Sequence, residues 1–168
     1  ALLAAALVPL ALLHNSPDAQ LIGFFAVFAM YASLGFFFGT ACGVFVFGFR
    51  SRAAALRCLM ASAVLVTFLT VAHLVQHATD PRLDALLQPF AVGGMVMGNS
   101  MFFLSMLIMC SKWHDDSQDT YILWNVAMGV ALVLSALVGF VFALPSMRNS
   151  AATFALLWIV EKECEVKW

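Results

Sequence analysis

The chain has 168 residues, 64% of them hydrophobic and only 10% charged, with a net charge of −1 and a mean hydropathy of +0.98. Soluble domains run roughly 45–50% apolar and about 25% charged, so a water-soluble enzyme, a nucleic-acid binder and a disordered linker are excluded at the outset. What remains is an all-α fold: a polytopic transmembrane helical bundle forming one integral membrane domain over residues 1–168.

In chain order, residues 1–13 (ALLAAALVPLALL) are apolar but too short for a complete span, and Pro9 disfavours a straight helix. A short N-terminal helix is expected, with a signal-peptide-like core as the alternative. The acidic and basic residues then fall into tight clusters that leave charge-free stretches at 19–49, 58–79, 85–111 and 120–147. Each exceeds the ~20 residues that cross a hydrocarbon core of about 30 Å. Four firm spans are therefore predicted, over 20–49, 55–79, 85–111 and 120–146.

As one helix the first span would be about 45 Å long, so it must tilt, protrude or touch protein beyond the bilayer. It carries Gly35, Gly39 and Gly43 four apart on one face, and phenylalanines on every side. Small residues at this spacing let helix backbones approach closely, either against a partner subunit or pigment or between helices of this chain. The connection FRSRAAALR follows, with Arg50, Arg52 and Arg57.

The second span ends in His73 and His77, four apart on one face, with Gln76 beside them. They are the candidate cofactor ligands, for a haem, which needs a facing histidine, or for a chlorophyll magnesium, which needs one axial donor. Interfacial histidines solvated by headgroups are the simpler reading. No metal site is assigned, because Asp80 serves better as N-cap to the helix opened by Pro81.

The third span repeats the small-residue spacing at Gly94 and Gly98, next to Asn99. An amide in hydrocarbon needs a hydrogen-bond partner; Asn99 is a substrate contact in one reading and a helix-to-helix tie in the other. Residues 93–101, GGMVMGNSM, resemble the glycine–methionine–glycine–asparagine motif in the membrane subunit of a bacterial metal-export permease family related to plant aluminium-tolerance proteins. That family continues with a long charged coupling helix for its ATPase. Here FFLSMLIMCSKWHDD runs directly into the fourth span, so the resemblance is not carried further. The fourth span repeats small residues at Ala131, Ser135 and Gly139. Residues 151–160 are too short to cross and lead into the charged EKECEVKW, which predicts a short interfacial helix.

The four cysteines form no CxxC, and no nucleophile signature, phosphate loop or paired carboxylate is present. No charge lies deep in a firm span, which leaves a proton relay or voltage sensor nothing to work with. Arg50, Arg52, Arg57 and Lys112 fall on one side of four alternating spans, against Arg82 and Arg148 on the other; the first side is expected to face the cytoplasm, matrix or stroma. The expectation is a non-enzymatic, multi-pass accessory subunit of a larger membrane complex, in a respiratory or photosynthetic assembly of the mitochondrial inner or thylakoid membrane. Its partners are membrane lipids and other membrane subunits. Bound lipid is expected and no cofactor is required. A small oligomeric permease and a haem or chlorophyll carrier using His73 or His77 are the alternatives.

Overall fold

The computed structural model describes residues 2–13, 18–41, 44–76, 81–112 and 118–167. Six helices and one hairpin follow in order: α1 (Leu2–Leu13), α2 (Asp18–Leu34), β1 (Phe36–Ala41), β2 (Val44–Phe49), α3 (Arg52–Gln76), α4 (Pro81–Met109), α5 (Gln118–Val141) and α6 (Pro145–Lys167). The chain divides into two compact units, residues 1–98 and 99–168, with the division inside α4.

In the first unit, the span expected over 20–49 is replaced by a 17-residue helix and a β-hairpin. The physical cause is local. Gly35 takes φ +109°, a conformation that ends a helix and that β-carbon-bearing residues rarely adopt. Beyond it, FFFGTA and VFVFGF are rich in the aromatic and β-branched residues that suit strands. The strands pair antiparallel from Phe36↔Phe49 to Ala41↔Val44, and Arg50 N–H donates to Gly35 C=O at 3.0 Å to close the base. Ser51 then caps α3, its hydroxyl accepting from Ala54 N–H at 3.2 Å.

Glycines set the closest helix approaches here. A β-carbon on Gly23 of α2 would lie 2.1 Å from the Pro89 carbonyl oxygen of α4, and one on Gly93 would lie 2.9 Å from Phe24 Cα. On the other flank of α4, Gly94 meets Leu69 and Gly98 meets Val66, both of α3, at 2.7 and 2.8 Å by the same construction. Between α2 and α3 the hydroxyl of Ser62 donates to Tyr31 Oη at 2.9 Å, both residues fully buried.

In the second unit α5 and α6 form a long antiparallel hairpin. Val141 ends α5 in a Schellman arrangement: Leu144 N–H reaches Gly139 C=O at 2.9 Å and Ala143 N–H reaches Phe140 C=O at 3.4 Å. Ala143 holds the left-handed position at φ 52°, and Pro145 starts α6. Gly139 admits the backbone of Arg148, whose nitrogen would lie 2.7 Å from a β-carbon there. The expected short helix at 151–160 is thus the middle of a 23-residue helix about as long as the 24-residue α5. Ring stacking of Phe103 on Phe154, with centroids 5.5 Å apart, holds α6 to α4.

Among the described residues, three helices are long and apolar enough to cross a membrane: Arg52–Val75, Leu87–Met109 and Gln118–Val141. These correspond to the second, third and fourth expected spans. The chain is mostly helical, but α2 is about 25 Å long at 1.5 Å per residue, shorter than a hydrocarbon core.

Candidate functional site

The densest polar arrangement in the described residues lies in the second unit, where α4 ends, α5 begins and α6 finishes. A helix C-terminus leaves its last carbonyls without intrahelical donors. That of Cys110 is satisfied by two side chains: Asn125 Nδ2 of α5 at 3.0 Å and Lys162 Nζ of α6 at 2.8 Å. A cation here also opposes the negative end of the α4 dipole. Asn125 donates in addition to Tyr121 C=O at 2.8 Å and accepts from Trp158 Nε1 at 3.1 Å.

Glu165 is the centre of the arrangement, and it is 6% exposed. One carboxylate oxygen accepts from the backbone N–H of Lys112. The other accepts from Tyr121 Oη and from Lys162 Nζ, each at 2.8 Å. Lys162 also lies 4.8 Å from the centre of the Tyr121 ring, within cation–π range. Burial alone would push the Glu165 carboxyl up, but the Lys112 N–H, Lys162 and Tyr121 together outweigh it and hold the group below its ordinary value. For Lys162, burial opposes the charge, while Glu165 and Tyr121 favour it more strongly, so its ammonium is held above its ordinary value.

Glu161 completes the cluster, 4.0 Å from Lys162. Burial pushes its carboxyl up, and the Ser111 hydroxyl and Lys162 offset this only in part. Cys110 is buried and its thiol is pushed up to about 12, first by burial and then by the Glu161 charge. A thiol held protonated is a poor nucleophile and a poor metal ligand. Chemically the cluster is a joint: Lys112 N–H and Cys110 C=O at the end of α4, Tyr121 and Asn125 of α5, and Lys162 and Glu165 of α6 bind across the three helices.

The sequence-predicted positions are dispersed. Gly35 and Gly39 do not share a helix face. Gly35 is the turn, Gly39 lies in β1 with open space around it, and Gly43 lies outside the described residues. Gly94 and Gly98 do face a neighbouring helix, α3. Asn99 is 1% exposed within α4. His73 is half-buried in the last turn of α3, whereas His77 lies outside the described residues. Among the described residues no three His, Cys, Asp or Glu side chains are grouped to hold a metal ion. Comparisons with protein-family models, curated proteins and solved structures find no match to this chain.

Sequence reasoning missed Gly23, Gly93, the Tyr31–Ser62 tie and the whole Glu165 joint. The Gly93–Gly94 doublet and the isolated Gly23 were readable signals. The joint had one too, in the i, i+3 pair Lys162–Glu165 and the i, i+4 pair Tyr121–Asn125.

Proposed function

We propose that this chain is a non-catalytic, multi-pass subunit of a larger membrane assembly. The observation that carries the reading is where its apolar surface faces. Only 28% of the apolar window of α3 and 17% of that of α5 is buried within the chain, leaving Val64, Phe68, Val130, Leu134 and Phe140 outward. Meanwhile, among the described residues, Tyr31, Ser62, Tyr121, Asn125, Lys162 and Glu165 tie helix to helix. Large outward apolar faces on a polar-jointed scaffold suit lipid and neighbouring transmembrane subunits.

The test is a native mass determination after gentle detergent extraction, with an optical spectrum of the same sample. The chain is expected in a particle far heavier than its own 18.2 kDa. A stable lone chain that moves substrate across liposomes, with flux lost in Asn99→Leu, would replace the subunit reading by the permease one. A Soret or chlorophyll band from the purified chain, lost in His73→Ala, would replace it by the carrier reading.

A further inference from the structure

We propose that the β1–β2 hairpin and the arginines at its base form an interfacial foot that binds anionic phospholipid headgroups. Three observations on the first unit converge on this. The hairpin is two-stranded, so the outer edge of β2 carries backbone N–H and C=O groups that point away from β1, while on the β1 side the Cys58 thiol hydrogen-bonds to the Phe36 backbone. Such an edge is not tolerated in hydrocarbon, where no water satisfies it. Its side chains point the other way in preference: Phe38 and Phe47 face each other across the pair on one surface, each 56% exposed, and Phe37 and Val46 are exposed on the opposite surface. Bulk water disfavours that surface. A hairpin with a wet edge and greasy faces fits the boundary between headgroups and acyl chains, where both demands are met.

Charge then selects the lipid. Arg50, Arg52 and Arg57 are all exposed and lie between the base of β2 and the second turn of α3. Arg57 folds back toward the hairpin, its guanidinium 3.9 Å from where a Gly35 β-carbon would stand, as a snorkelling arginine does. No acidic residue occurs between residues 19 and 79. Asp18 opens α2 and Asp84 lies in the first turn of α4, both at the helix ends away from the hairpin. The hairpin end of this unit is thus cationic, and a phosphodiester headgroup bearing net negative charge complements it. The inference rests on α3 and α4 crossing a bilayer; it does not depend on the subunit reading, which the native mass decides separately.

The full chain, reconstituted into nanodiscs of phosphatidylcholine alone or mixed with phosphatidylglycerol, tests this by amide hydrogen exchange. Exchange across residues 36–49 is expected to be severalfold slower in the mixed discs, with α5 unchanged. High salt should abolish the difference in the wild-type chain, and the double variant Arg50→Gln/Arg57→Gln should lose it at low salt. Equal hairpin exchange in the two discs overturns the proposal. So does protection that rises with the number of chains per disc and ignores phosphatidylglycerol, because that signature belongs to a strand added from a second copy.

Discussion

Glu165 accepts from Lys112, Tyr121 and Lys162, so its charge supports the joint of the second unit alongside the contacts to the Cys110 carbonyl. Charge-assisted hydrogen bonds contribute about 1.5–3 kcal/mol, and Glu165→Gln is expected to destabilise the chain by that amount in thermal unfolding at neutral pH. The pH dependence carries a definite sign. A carboxylate held below its ordinary value near 4.5 stabilises the fold fully above that value and loses the contribution as pH falls through the lower folded one. Glu161 works in the opposite sense. Its raised folded value means that acidification toward 4.5 relieves the fold. Lys162, held above its ordinary 10.5, stabilises below that pH and is lost above it. The wild-type chain should therefore lose stability below about pH 4.5, and Glu165→Gln should lack that limb. At this scale the sequence was partly legible: Cys110 reads as an inert buried thiol from its position at a span's end. The charged tail reads only as the end of a short interfacial helix, because nothing local reveals that α6 returns to meet Tyr121 and Lys112.

Elements were legible in proportion to their length and period. The three charge-free runs that became α3, α4 and α5 were found with boundaries shifted by a few residues at most ends, since lipid-compatible length is a strong physical filter. The run over 20–49 failed because hydropathy carries no information about backbone state. A span and an apolar hairpin have the same composition, and the decision fell to Gly35 and to the β-propensity of Phe, Val and Thr after it. The glycine pattern shows the same limit: i, i+4 spacing implies a helical face only if the helix continues. Substitution separates the glycines that set approach distances from those that do not. Gly23→Ala drives a β-carbon into the Pro89 carbonyl and should cost about 1–3 kcal/mol as overpacking. Gly39→Ala meets open space and should stay within about 0.5 kcal/mol of wild type. Melting temperatures of the two variants in one detergent measure the contrast, and equal values would refute the close α2–α4 approach.

For the molecule as a whole, the length of α6 alters the topological argument. If α5 crosses the bilayer, the antiparallel α6 brings Lys162 back to the Cys110 carbonyl, so it joins Lys112 at that end of the second unit. The balance of basic residues then favours that side more strongly than the spans alone do. The exposed Cys164 offers a direct reading. In sealed, oriented vesicles a membrane-impermeant maleimide should label Cys164 from the same side as an introduced cysteine at Lys112, while buried Cys58 and Cys110 stay unreacted. Labelling of the two sites from opposite sides would show that α6 does not return.

The joint at Glu165 also bears on how the chain is made. Both Lys162 and Glu165 come from α6, so until α6 docks the Cys110 carbonyl lacks its lysine and Tyr121 lacks its acceptor. A nascent chain is therefore held with the ends of α4 and α5 joined only through Asn125 until α6 docks. Membrane quality-control proteases that survey loosely held helices meet this protein in a vulnerable form throughout that interval, and truncation before α6 leaves it so permanently.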